Sequence, residues 1–346
     1  MAVTPTAAGH PRPAVDTWLY PTDKGLWCEP GQFHIDPRWP VDKAVITHGH
    51  ADHARSGHGA VLATPETIAI MKVRYGAACA GNFDAVGYGE SRTINGVNVR
   101  LVPAGHILGS AQIVMDWGGS RAVVSGDYKR AADPTCAAFE PIACDVFVTE
   151  ATFGLPVFRH GNAASEAARL VSSIAEQPGR AHLVGVYGLG KCQRMIKLVR
   201  QAGYDAPIYL HGAHVGLTRL YQDLGHDLGD VRPVSDASKP ETATALVMCP
   251  PSALADRWSR RFTEPVTAFA SGWMHTRGRV RQSGVELPLV VSDHADWPEL
   301  LETVRDTGAP EIWVTHGRED ALIHQLGLMG LRGRALALVG REEEGE

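Results

Sequence analysis

The chain has 346 residues, 44% apolar and 21% charged, with a formal net charge of −5. That composition is of a soluble globular protein with room for one large or two medium domains. It excludes a disordered chain, no apolar run is long enough to cross a membrane, and the overall charge does not suggest a nucleic-acid binder. Six scattered cysteines without a CxxC pair exclude a disulfide scaffold and read as reduced residues of a cytoplasmic protein.

In chain order, residues 1–15 read as a disordered tail, rich in Pro, Ala and Thr near the start. Two short strands are expected at 26–29 and 32–36 around Pro30-Gly31, the second ending at Asp36. An apolar run then leads into Thr47-His48-Gly49-His50-Ala51-Asp52-His53. Imidazole nitrogens and a carboxylate at this density suit zinc, manganese or iron. His48 and His50 fall on one side of an extended backbone, Asp52 and His53 on another, an arrangement for two adjacent metals. Asp36 either orients a ligand histidine or caps a turn.

A strand at 61–64, a helix at 65–75 ended by Gly76, and an irregular Gly-rich stretch at 77–95 follow. Strands at 97–102, 111–117 and 121–126 are expected, the last two joined by Gly118-Gly119. His106, Asp127 and Glu150 each come just after, or end, an apolar run, where layered α/β folds place chemistry.

The texture changes near Phe158. Helices at 163–177, 191–202 and 214–224 alternate with strands at 181–187, 207–210 and 244–249, as in a small parallel sheet with flanking helices. Gly188-Leu189-Gly190-Lys191 joins a strand to a helix, either for tight packing or to offer amides and Lys191 to a phosphate. Between Arg257 and Arg281 stand six arginines and one acid, Glu264. Arg277, Arg279 and Arg281, spaced by two, would share one face of a strand, and this face, or Lys191 across the cleft, would track a phosphate backbone. Histidines then reappear after apolar runs, His294 in Ser292-Asp293-His294-Ala295-Asp296 and His316 in Thr315-His316-Gly317. The chain re-enters its first domain, which makes the lobe an insertion.

His48-x-His50-x-Asp52-His53, His106, Asp127 and the early Asp36 resemble the metallo-β-lactamase superfamily signature. Glu150, His294 and His316 in their motifs resemble those of the β-CASP nucleases within it. The likeness covers roughly residues 20–335. It implies an αββα sandwich (16–157 and 284–346) with an inserted β-CASP-like α/β cap (158–283). It further implies two divalent metals, zinc or manganese: one on His48, His50 and His106, the other on Asp52, His53 and His316, with Asp127 bridging. Asp52, Asp127, His294 and Glu150 are then catalytic, with His294 as general acid or electrostatic partner for the phosphate, its ring held by Glu150. The implied reaction is in-line hydrolysis of phosphodiesters.

Ser271-Gly272-Trp273-Met274 and the Ser-Asp-His-Ala-Asp-Trp run resemble the bacterial exonucleases associated with DNA ligases. That likeness implies a DNA exonuclease, preferring 5′ ends, working in repair with a ligase and a helicase. His316 matches the RNA-processing members, where DNA-specific eukaryotic members tend to carry valine. An RNA-processing enzyme is thus the alternative, with a small-molecule metallo-hydrolase behind it.

Overall fold

The computed structural model describes residues 12–336. Strands β1 (Leu19–Thr22), β2 (Gly25–Cys28), β3 (Phe33–Ile35), β4 (Lys43–Val45), β5 (His58–Ala63) and β6 (Ala80–Ala85) form a first sheet in sequence order. Its pairs are antiparallel up to β3 and parallel beyond. Helix α1 (Pro65–Tyr75) lies between β5 and β6 in sequence. Its start is fixed twice: Thr64 accepts the Thr67 amide, and Pro65 presets the first helical φ.

Strands β7 (Ser91–Ile94), β8 (Val97–Pro103), β9 (Ala111–Trp117), β10 (Ser120–Val124) and β11 (Val146–Ala151) begin a second sheet. The β9–β10 hairpin turns on Gly118 and Gly119, both at positive φ (58° and 86°), a pairing that side-chain-bearing residues resist.

After β11 the chain leaves the sheet. It builds α2 (Ala163–Glu176), β12 (His182–Gly185), α3 (Lys191–Gln201), β13 (Ile208–Leu210), α4 (Gly212–Asp223), β14 (Val231–Pro233), α5 (Lys239–Thr242), β15 (Leu246–Cys249), β16 (Val266–Ala270), α6 (Arg277–Ser283) and β17 (Leu287–Leu289). These six strands make a separate parallel sheet, ordered β14-β13-β15-β12-β16-β17. The chain then returns through α7 (Trp297–Thr307), β18 (Glu311–Gly317), α8 (Glu319–Leu328) and β19 (Arg332–Ala335). Strand β18 pairs directly with β11, so the whole lobe is inserted between two neighbouring strands of the second sheet.

Burial defines the layers. Leu26, Phe33 and Val45 of the first sheet meet Leu101, Ile113, Val148 and Trp313 of the second in one core. Outside it, α1 covers the first sheet through Ile68 and Met71. On the far side, α7 and α8 cover the second through Leu300, Val304, Leu322 and Leu326. The result is a helix–sheet–sheet–helix sandwich of metallo-hydrolase type with a separate cap region. Ile70, Ile107 and Leu108 of the sandwich pack into the cap's own core. Among the described residues no helix is long and apolar enough to cross a membrane.

Several expectations change. Residues 77–95 hold two strands, β6 and β7, whose polar and half-exposed side chains hide any alternation. Arg277, Arg279 and Arg281 lie on helix α6, not on a strand; at roughly 100° per residue, a spacing of two turns successive arginines to opposite sides. Leu287–Leu289, read as part of the return, pairs with β16 in the cap sheet. Of the expected tail, residues 1–11 lie outside the described residues; the Pro13 carbonyl accepts from Ser120 and Val15 is buried.

Candidate metal centre

The sandwich brings its histidines and acids to one rim, beneath the cap. Asp36 follows β3 at φ 43°, in the left-handed region. Its Oδ1 accepts the Thr47 amide at 2.8 Å and its Oδ2 the Thr47 hydroxyl at 2.6 Å. Oδ2 also accepts from His53 Nδ1 at 2.7 Å. Gly49 is required because a Cβ there would stand 2.5 Å from Ile70 of α1.

Hydrogen bonds set the ring protons of the first group. The Thr47 hydroxyl donates to Asp36, so at 3.0 Å it accepts from His48 Nδ1. His50 Nε2 donates to the Leu189 carbonyl at 3.3 Å, and His106 Nδ1 to the Asp293 carbonyl at 2.7 Å. The remaining nitrogens face inward without protons. His48 Nε2 and His106 Nε2 stand 3.1 and 3.0 Å from His50 Nδ1. Asp127 Oδ2 is 3.4 Å from His48 Nε2 and 3.8 Å from His106 Nε2. Three lone pairs and a carboxylate converge with no donor among them. Such a set suits a divalent cation, so the residues present fit a metal.

A second group, Asp52, His53 and His316, also places its ligand atoms within 4.8 Å of one another. Asp127 Oδ2 lies 3.4 Å from His53 Nε2 as well, which puts it between the two groups. His316 arrives by a device of the sheet. Glu150 pairs with Thr315 and Ala151 with Gly317, so His316 is the extra residue of a bulge, at φ 60°. A bulge re-aims a side chain out of the strand's alternation; His316 stacks on His53 with centroids 5.2 Å apart.

Behind His106 stands His294, ring centroids 4.7 Å apart. Its Nδ1 donates to Glu150 Oε2 at 2.9 Å. Glu150 is itself fixed by the Tyr128 amide and the Thr152 hydroxyl.

Electrostatics prepares the two groups differently. Burial, with neighbouring imidazoles, lowers His48, takes His50 down to about 4 and holds His106 well below its usual value. These three rings are therefore neutral, as ligands must be. Burial also opposes charge on His53, but Asp127, Asp52 and Asp36 outweigh it and hold it well above the ordinary range. Burial likewise opposes charge on Asp127, yet His53 and His48 keep its carboxyl well below. Glu150 is raised, chiefly by burial.

His50, Asp52, Asp127, His294 and His316 open on a cleft of about 1010 Å³ between sandwich and cap. Arg38, Arg55 and Arg74 line it from the sandwich, and Lys191, Tyr187 and Trp273 from the cap. Lys191 is fully buried, 3.8 Å from the Asp293 carboxylate. Arg279 lies 5.2 Å over the Trp273 ring, at the cleft's cap side. Sequence reasoning missed Arg38, Arg55 and Arg74, which belong to no run, and the Leu189 and Asp293 carbonyls, which carry no residue-type signal.

No family model matches the chain. A probable DNA ligase of Opitutus terrae is 28% identical over 92% of this chain and 31% of its own length. Endoribonuclease YSH1 of Gibberella zeae is 27% identical over 54% of this chain and 26% of its own. The chain thus spans about a third or less of these two relatives. Ribonuclease TTHA0252 of Thermus thermophilus is 24% identical over 88% of each chain. A solved structure of a protein of unknown function from Enterococcus faecalis superposes with a TM-score of 0.54 at 13% identity, covering 88% of this chain and 80% of that one, a likeness of fold. By these alignments and its clustered histidines and acids, the chain is homologous to nucleases of the metallo-β-lactamase and β-CASP kind.

Proposed function

We propose that this chain is a metal-dependent nuclease that hydrolyses phosphodiester bonds in the cleft beneath the cap. One observation carries the reading: His48 Nε2, His50 Nδ1, His106 Nε2 and an Asp127 carboxylate oxygen converge on one point, while the outer nitrogens of the three rings are taken up by Thr47 and the Leu189 and Asp293 carbonyls. His48, His50 and His106 would hold one ion and Asp52, His53 and His316 a second, with Asp127 placed between the two sets. Divalent cations in such a pair offset the charge gathering on a phosphate and bring the pKa of water near neutrality.

The chain's own groups do the rest. Glu150 fixes His294 through Nδ1, so a proton passed to the leaving oxygen departs from Nε2 as the P–O bond breaks. Arg38, Arg55 and Arg74 offer charge to a backbone threaded along the cleft. Arg279, beside Trp273, extends that charge onto the cap, and Arg277 and Arg281 flank it on α6.

The relatives named as ribonucleases favour an RNA-processing enzyme, and His316 agrees through the motif resemblance. A second reading, DNA end trimming beside a ligase, rests on the match of 92% of this chain to a probable DNA ligase. Digestion of end-labelled RNA and DNA, single- and double-stranded, with zinc or manganese supplied in turn, separates the two. Asp127→Ala, checked for retained fold, abolishes cleavage on either reading; undiminished cleavage rejects the two-metal scheme.

A further inference from the structure

A buried ionic cluster joins cap to sandwich, and none of the metal-binding motifs accounts for it. Arg194 of α3 is only 3% exposed. Its Nη1 donates to Asp293 Oδ1 at 3.0 Å and to the Ser292 carbonyl, and its Nε lies 3.3 Å from Asp133. Lys129 donates to Asp133 at 2.6 Å and stands 3.9 Å from Asp293. Lys191 lies 3.8 Å from the same Asp293. Burying so many charges removes each from water and is weak support for stability as such.

The cluster grips one short turn. The Asp293 carbonyl takes the Nδ1 proton of His106, and the Ser292 hydroxyl bonds both the amide and the carbonyl of His294. A shift of residues 292–293 would therefore move the acceptor that fixes the His106 proton and the backbone that carries His294. Arg194, from the cap, holds this turn by side-chain hydrogen bonds to both the Ser292 carbonyl and the Asp293 carboxylate.

We infer that Arg194 is a positioning residue for the metal centre. By clamping the 292–293 turn it keeps His106 Nε2 bare and facing inward, so the cap must be seated before the first metal group is complete. This rests on the metal reading of His48, His50 and His106, and not on the choice of substrate.

The test uses the full chain stripped of metal by a chelator and titrated with cobalt(II) chloride. The parent binds cobalt with its ligand-field absorption. Arg194→Met weakens that binding about 10- to 100-fold, the usual effect of losing an orienting partner. Arg194→Lys, which keeps a charge without the planar fork, falls between. Nitrogen-15 shifts of the histidine rings in the metal-free parent show His106 protonated on Nδ1 alone, and the variants lose that single form. Folded variants with parental cobalt affinity and an unchanged His106 tautomer overturn the proposal. So does a metal-free parent whose His106 carries its proton on Nε2, even where Arg194→Met fails to fold. A parent that binds no cobalt overturns the metal reading itself.

Discussion

His53 and Asp36 meet through a hydrogen bond of 2.7 Å from Nδ1 to Oδ2, both side chains buried. The same carboxylate anchors Thr47, whose hydroxyl fixes His48. One acid thus orients a histidine from each proposed metal group. Asp36→Ala is expected to weaken zinc binding about 10- to 100-fold, read by competition with a chromophoric chelator. Parental affinity in the folded variant would return Asp36 to a turn-capping role.

The raised pKa of His53 sets a pH dependence. A histidine raised on folding stabilises the folded chain fully below its unfolded value, near pH 6.5. That share is lost as pH climbs through the higher folded value. The Tm of the metal-free protein should lose this contribution above neutrality, while metal binding tightens over the same range because the proton must leave Nε2. Calorimetry at pH 7 in buffers of different ionisation enthalpy should find about one proton released from this site per chain. No release would remove His53 from the ligand set.

His294 stands beside His106, lines the cleft and is held by Glu150. His294→Gln should lower turnover of a labelled oligonucleotide by about 10²- to 10⁴-fold, the range for a lost general acid. Metal stoichiometry should stay at the parental value. A variant that loses metal along with activity would make His294 structural.

Salt dependence distinguishes the two sets of arginines. Each phosphate contact contributes roughly 0.7 to 0.9 to the slope of log affinity against log salt. Arg38→Ala with Arg55→Ala, in the cleft, should flatten that slope by roughly 1.4 to 1.8 in catalytically dead protein. Arg277→Ala with Arg281→Ala should change it less, since these two share the face of exposed α6 opposite Arg279, the one that lies over Trp273. The reverse ranking would move the nucleic acid onto the cap's outer face.

The sequence exposes those parts of the site that depend on local order. His48, His106 and Asp127 follow β4, β8 and β10 by a few residues, and an apolar run ending in a histidine is visible without a structure. The insertion was legible for the same reason, because helix-period segments interrupt a strand-and-histidine rhythm. What stayed hidden depends on distant chain. The bulge at His316 exists only against β11, and the carbonyls that set the His50 and His106 protons come from backbone, which any residue type supplies. Arg277, Arg279 and Arg281 misled because their spacing fits a strand, while the short helix they form presents no buried face from which a helical period could be read.

The Leu189 carbonyl lies 139 positions after His50, and the Asp293 carbonyl 187 after His106. Contacts at that separation form late, after shorter loops have closed. During synthesis the N-terminal histidines leave the ribosome long before the groups that dictate which of their nitrogens is bare. On the proposed metal reading, the nascent chain would offer an ill-sorted set of rings to whatever ion it met, and selective loading would wait until the inserted lobe and the returning turn had been made.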